Sequence, residues 1–337
     1  MLDPILLLVA MVIIIAFAFD FTNGFHDAAN AIATSVATRA LAPRTALIMA
    51  AIMNFVGALL GTGVAETIGS GIVDIQDVPD QMVALFVVLS GLIGAVIWNL
   101  ITWWLGLPSS SSHALIGGLA GAGIAASITV HWSVIGEKVV LPMFISPFVG
   151  FILAYALMSV VIRVFANFAY RPTMRRFRYA QTISAAATAL GHGLQDAQKT
   201  MGVVVLALVA GGYHEGHEVP LWVKLGAATA ISLGTYSGGW RIMKTLGSKI
   251  IDLDPSQGFV AETVASSVLY VTAFAYHAPI STTHTITSAI MGAGATKRLS
   301  AVRWSVTKSI VGAWFLTMPA AAIVSALFYT IIHVIFI

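Results

Sequence analysis

Two polar clusters interrupt an otherwise apolar chain, and both carry groups that hold ions rather than groups that cleave bonds. The first, Asp20-Phe-Thr-Asn-Gly-Phe-His-Asp-Ala-Ala-Asn, contains Asn23, His26, Asp27 and Asn30. The second, Gly191-His-Gly-Leu-Gln-Asp-Ala-Gln-Lys, contains His192, Gln195, Asp196, Gln198 and Lys199. A charge at the bilayer centre costs about 2.5–3.5 kcal/mol on insertion scales, so it is kept there for function or for pairing. Asp27 and Asp196, with amide oxygens from Asn23, Asn30, Gln195 and Gln198 nearby, offer the oxygen-only surroundings that suit a hard cation such as Na+. The plainer reading is that each Asp pairs with a neighbouring Lys or His and simply joins helices. Matched carboxylates beside an expected helix break favour the ion. His26 and His192 adjoin the carboxylates and are candidates for a proton relay.

A second pair of motifs points to an anion. Gly106-Leu-Pro-Ser-Ser-Ser-Ser-His and Ala278-Pro-Ile-Ser-Thr-Thr-His each place a Pro and a run of hydroxyls ahead of an apolar helical segment. That order is a helix start with N-cap residues. At such a start free backbone N–H groups and the positive end of the helix dipole attract an anion without any fixed cation. Ser110, Ser111, Ser112, Ser281, Thr282 and Thr283 are the expected anion ligands, and Lys199 could touch the anion or pair with Asp196. Ordinary capping and interhelical hydrogen bonding would use the same residues; two copies favour binding.

Other polar residues carry less. His113 and His284 follow the two turns and suit capping or interhelical hydrogen bonds. His214 and His217, beside Glu215 and Glu218, read as a solvated loop before a weak metal site. Glu262 opens an apolar arm with no evident partner and is a candidate only. Trp103, Trp104, Trp222 and Trp240 read as interfacial anchors.

The elements that must position these groups are membrane helices. Of 337 residues, 58% are hydrophobic and 9% charged, with a mean hydropathy of +0.91. A soluble domain carries about 25% charged residues, so this chain cannot cover a water-facing surface and lipid is its solvent. The absence of cysteine excludes disulfides and thiolate metal sites, and the net charge of +3 reflects basic loops rather than a nucleic-acid partner. Asp3 stands where a signal peptide would be basic, so the N-terminal run is read as a retained helix. Apolar segments cover approximately 2–18, 28–38, 45–65, 81–105, 113–130 and 139–164, then 180–190, 200–212, 221–236, 259–277, 284–295 and 305–337. Several fall short of the about 20 residues a spanning helix needs, which predicts broken helices and re-entrant hairpins that protein must cover.

Most of the 17 Lys and Arg, from Arg39 and Arg44 through the stretch 171–178 to Lys308, fall on one side of these segments. The acidic stretch 66–80 and the loop 214–218 fall on the other. The positive-inside rule makes the basic side cytoplasmic and both termini external. The halves also match one another in order: the clusters at Gly24 and Gly193, the stretches beginning at Glu66 and Lys244, and the turns at Pro108 and Pro279. One half enters from outside and the other from inside, which predicts inverted repeats around a midplane site, the architecture of secondary transporters. The expected units are a first repeat at 1–165, a basic cytoplasmic linker at 166–179 and a second repeat at 180–337.

With these motifs the chain resembles the inorganic phosphate transporter (PiT) family. Asn-Gly-Phe-His-Asp-Ala-Ala-Asn-Ala at 23–31 and His-Gly-Leu-Gln-Asp-Ala-Gln-Lys-Thr-Met-Gly at 192–202 are similar to its paired signatures, and both Pro-hydroxyl-His turns match it. The resemblance spans nearly the whole chain. It implies phosphate symport with Na+ or H+, with Asp27 and Asp196 coupling. Phe25 and His26 stand where eukaryotic members read Ala and Asn. That departure resembles bacterial members, some of which use protons and metal-phosphate. The long soluble loop of eukaryotic members is absent.

The combined expectation is an all-α, polytopic membrane protein of the plasma or cell inner membrane, not an enzyme. It imports inorganic phosphate with a cation, Na+ ahead of H+, by alternating access, needs no other cofactor, and has the bilayer and further copies of itself as its expected partners. A passive anion pore would need a continuous polar lining that short clusters do not supply. A Ser–His hydrolase built on Ser112 or Ser281 would need a single nucleophile and oxyanion site. Selectivity for sulfate or arsenate stays open on the hydroxyls alone.

Overall fold

The computed structural model describes residues 3–75 and 78–336; Gln76 and Asp77, in the middle of the acidic stretch, lie outside it. The described residues form helices and no strands, with one lone bridge between Val73 and Val130. In chain order the helices are α1 (Pro4–Ala37), α2 (Pro43–Ala58), α3 (Gly63–Gly71), α4 (Gln81–Leu105), α5 (Ser111–Ala125), α6 (Trp132–Ile135), α7 (Leu141–Phe165), α8 (Tyr170–Ala210), α9 (Leu221–Ser237), α10 (Trp240–Lys244), α11 (Pro255–Phe274), α12 (Thr282–Ala295) and α13 (Trp304–Phe336). The segments Pro4–Ala37, Gln81–Leu105, Trp132–Phe165 and Trp304–Phe336 are each long and apolar enough to cross a membrane. The last two bury few side chains, as lipid-facing helices do.

Local signals set the helix ends. Asp3 caps α1, accepting from the Ile5 amide at 3.0 Å, with Pro4 in the first helical position. Asp80 caps α4, and Gly106, with φ of 67°, ends it in the left-handed conformation that glycine adopts without strain. A reciprocal box of Asp254 and Gln257 starts α11 behind Pro255. Ser110 and Ser281 cap α5 and α12, accepting from the His113 and His284 amides at 3.3 and 3.2 Å.

Two expectations need correction. Both polar clusters lie inside unbroken helices: α1 is 34 residues and α8 is 41 residues of continuous helix. Their polar residues interrupt the hydropathy but not the backbone, because side chains on α4, α5, α12 and the neighbouring turns supply partners. No unwound carbonyls at Asp27 or Asp196 are therefore available to an ion. The basic stretch 171–178, expected within the linker at 166–179, is helical and forms the first turns of α8.

Helix packing pairs exchange between the halves. α1 packs on α9 as α8 packs on α2, α4 on α5 as α11 on α12, and α5 on α13 as α12 on α7. The crossings beside the polar clusters depend on the absence of a side chain. A Cβ at Gly24 would stand 2.9 Å from the amide nitrogen of Thr235, and one at Gly193 2.8 Å from the carbonyl carbon of Asn54. Such approach lets backbones touch, the usual way helices gain packing in lipid. It also locks each cluster against a neighbouring helix.

Candidate functional site

The two Pro-hydroxyl turns meet at the centre of the bundle. The His113 and His284 rings lie edge to face at 5.0 Å between centroids, and His284 stacks on Trp314 at 3.9 Å. Trp314 Nε1 donates to the Pro108 carbonyl at 3.1 Å, holding the first turn. Ser112 donates across the junction to the Ile280 carbonyl at 3.4 Å. Ser110 and Ser281 serve the caps, whereas Ser111, Ser112, Thr282 and Thr283 point their hydroxyls at the carboxylates and at α1 and α8. All six are buried.

Asp27 on α1 is surrounded from both turns. His26 Nδ1 lies 2.6 Å from Asp27 Oδ1, Thr283 donates to Oδ1 at 3.3 Å, and Ser111 donates to Oδ2 at 3.4 Å. Asn30 Nδ2 donates to Thr283 at 2.8 Å. His26 reaches on through Nε2 to the Thr102 hydroxyl at 3.0 Å, with Ser109 bridging at 3.4 Å.

Asp196 on α8 has the corresponding setting with one change. Lys199 Nζ donates to Asp196 Oδ1 and to Ser112 Oγ, and to the Ile280 carbonyl at 3.3 Å. His192 Nε2 lies 3.1 Å from Asp196 Oδ2, and Thr282 donates to that oxygen at 3.4 Å. His192 Nδ1 is 2.9 Å from Asn54 Oδ1. Ligand atoms of Asp27, His192 and Asp196 all fall within 4.8 Å of one another, so the two clusters form one centre. Lys199 is 1% exposed; its ammonium is neutralised in place rather than solvated.

The amides separate into two groups. Gln198 is fully engaged, accepting from the Val64 amide at 2.8 Å and donating to the Leu194 carbonyl at 2.7 Å; here it braces α3 against α8. Gln195 donates to Thr272 at 3.0 Å, but its carbonyl oxygen has no partner among the described residues. Asn23 has none on either atom, and Asn30 has none on its oxygen.

Glu262, left without a partner in the sequence, has four. Wholly buried on α11, it accepts from Thr34, from Ser35 at 2.6 Å, from Ser184 at 2.6 Å and from Gln181 at 3.3 Å. Thr38 donates to Gln181 at 2.7 Å and extends the network. These donors come from α1, one turn after its polar cluster, and from α8, about two turns before its own. The signal that could have found them is the row of hydroxyls at Thr34, Ser35 and Thr38, which continues past the polar cluster at the end of α1.

Buried carboxylates, an ammonium and converging hydroxyls inside an apolar helical bundle define a membrane protein that handles ions or small polar solutes. The model of the "Phosphate transporter family" matches residues 23–173 and again 166–325. The chain belongs to that family, which is one of transporters and not of enzymes. A "Probable low-affinity inorganic phosphate transporter" of Bacillus subtilis (strain 168) is 44% identical over 337 residues, covering 99% of this chain and 100% of that protein. Another of the same description, from Rhizobium meliloti (strain 1021), is 48% identical over 322 residues, 94% of each chain. A solved structure, "The sodium-dependent phosphate transporter", superposes with a TM-score of 0.88 at 25% identity, covering 97% of this chain and 99% of that one.

Proposed function

We propose that this protein imports inorganic phosphate in symport with a cation, Na+ ahead of H+, by alternating access around the centre described above. The meeting of the two Pro-hydroxyl turns over Asp27 and Asp196 carries the reading. Helix starts at Ser110 and Ser281 direct backbone N–H groups and dipole ends into one place. Ser111, Ser112, Thr282 and Thr283 add donors suited to tetrahedral oxygens, and Lys199 adds a positive charge. A phosphate bound there would draw these hydroxyls away from the carboxylates, whose negative charge a co-transported cation must then offset. That linkage is reciprocal: whatever cation strengthens phosphate binding is itself bound more tightly with phosphate present.

The exchange of helix packing pairs and the double match of the family model support an inverted-repeat arrangement with α4–α5 and α11–α12 as re-entrant hairpins. The basic residues support a cytoplasmic face at the N-terminal end of α8, with both termini on the opposite side of a plasma or inner membrane. The solved neighbour named as sodium-dependent favours Na+. His26 and His192, each bridging a carboxylate to a neutral oxygen, keep proton coupling, with free phosphate or metal-phosphate, as the second reading. Purified protein in proteoliposomes tests both. Radiolabelled phosphate should accumulate uphill under an imposed Na+ gradient, and a proton gradient alone would support the second reading. Accumulation under neither, with passive equilibration instead, would leave a pore.

A further inference from the structure

Asp20 is the deep carboxylate that the site does not explain. It lies on α1, is 0% exposed, and neither oxygen has a hydrogen-bond partner among the described residues. One turn further along the helix, Asn23 is equally buried and unpaired on both side-chain atoms. From α8, the buried hydroxyl of Thr200 is the polar group that approaches the Asp20 carboxylate, and it meets no partner with good hydrogen-bond geometry among the described residues. The other deep carboxylates contrast with this. Glu262 accepts from four donors, Asp27 has Ser111, Thr283 and the His26 ring on its oxygens, and Asp196 accepts from Lys199 and Thr282 with the His192 ring beside it. A carboxylate in an apolar interior without partners either takes up a proton or holds a ligand, and inside a membrane bundle it marks a candidate functional site.

The matched clusters indicate why Asp196 has no need of such a ligand. Aligning Asp27 with Asp196 sets Asn30 opposite Lys199. The contacts agree with this register: Asn30 donates to Thr283, and Lys199 donates to Ser112, which is the counterpart of Thr283 in the other turn. Where one half carries a neutral amide, the other carries a permanent cation that already neutralises its carboxylate.

We propose that Asp20, Asn23 Oδ1 and Thr200 Oγ1 form a Na+ site loaded during transport, while Lys199 acts as the fixed cation of the Asp196 half. This rests on the symport reading. A proton would satisfy one carboxylate oxygen and leave Asn23 and Thr200 unpaired; a desolvated Na+ takes all three oxygen donors at once. Asp196 and Lys199 are the charges that act on Asp20, so the site is electrostatically coupled to the phosphate centre. Without Na+, the Asp20 charge repels an incoming phosphate; with Na+ that repulsion is removed.

The test is phosphate uptake by proteoliposomes at fixed pH, with NaCl titrated against choline chloride. In Asp20→Asn the repulsion is gone and so is the Na+ ligand, so Na+ should activate uptake little while low-Na+ uptake stays at or above wild type. Thr200→Val, which removes one neutral ligand and no charge, should raise the half-activating Na+ concentration by about tenfold. Elution profile and melting temperature report whether each variant folds. Wild-type Na+ activation in Asp20→Asn would overturn the site while leaving Na+ symport standing. If that variant does not fold, an unchanged half-activating Na+ concentration in Thr200→Val overturns it. Proton-driven uptake that Asp20→Asn abolishes, with no response to Na+, would assign the residue to a proton and also overturn the Na+ site. Wild-type protein that accumulates phosphate under neither gradient removes the symport reading itself, and the Na+ site with it.

Discussion

The Asp27 and Asp196 centres are built on the same plan and carry different charge. Each carboxylate sits on a long helix beside a glycine crossing, has an imidazole on one oxygen, and accepts from a hydroxyl of a Pro-started turn. The next turn of helix differs: Asn30 on α1, Lys199 on α8. The two centres share their geometry and differ in their charge. Geometry in lipid is held by backbone contacts that tolerate few substitutions, whereas one side chain at the centre can change charge without moving a helix.

That contrast can be broken by experiment. The largest effect should come from Lys199→Gln, which strands the Asp196 carboxylate inside the protein; removing one member of a buried pair costs about 3–5 kcal/mol. Asn30→Ala, at the matched position, removes neutral hydrogen bonds and should cost only about 1 kcal/mol. Unfolding of both variants in detergent measures the difference, and equal losses would remove the asymmetry.

The crossings should instead behave alike. Gly24→Val and Gly193→Val both drive a side chain into a neighbouring backbone, at the upper end of the about 1–3 kcal/mol typical of overpacking. Thermal unfolding should show matched losses; a tolerant Gly193 would mean that the two halves are not braced in the same way.

Smaller and more specific effects are expected at the turns. Ser112→Ala and Thr283→Val each remove a donor, and a hydrogen bond to a charged group is worth about 1.5–3 kcal/mol. The half-saturating phosphate concentration for uptake should rise about tenfold or more in each. A rise in Ser112→Ala alone would show that Ser112 acts by placing Lys199.

The smallest effect lies at the membrane edge. Burial alone would raise the Asp254 carboxyl, but hydrogen bonds from the Ser256 hydroxyl, the Gln257 amide and Lys297 outweigh it and hold the group below its ordinary range. A depressed carboxyl contributes its stability fully above the ordinary carboxylate range. That contribution is lost as pH falls through the lower folded value. The stability difference between wild type and Asp254→Asn should therefore shrink on acidification below the ordinary range. Because the Lys297 side chain is 51% exposed, added salt should weaken its part of the effect.

Much of the site was legible because its residues are expensive where they stand. Asp27, Asp196 and the two hydroxyl runs are conspicuous against apolar surroundings, and their repetition linked them before any coordinates did. Asp20 was visible as the first residue of a cluster and Glu262 as a lone charge, but what surrounds them was not, since Thr200, Ser35 and Ser184 are far away in sequence from them and unremarkable in type. Gln198, expected as an ion ligand, accepts from the Val64 amide; an amide's partners are invisible until the helix beside it is placed. The helix breaks expected at the two polar clusters failed for a related reason. Hydropathy falls wherever polar residues occur, but an α-helix keeps its own hydrogen bonds through such a stretch when neighbours supply partners for the side chains.

Composition and pattern by themselves marked this chain as one for an apolar solvent, set matching motifs in order in its two halves, and singled out two carboxylates and two turns as candidates. Those conclusions depend on the cost of polarity in an apolar solvent, and that cost is written residue by residue. Only the tertiary structure decided that the two turns touch, that Lys199 sits on Asp196, and that Asp20 is left unsatisfied. Pairing is a property of space: a buried charge is tolerable or not according to which distant atoms the packing of helices brings within about 3 Å of it.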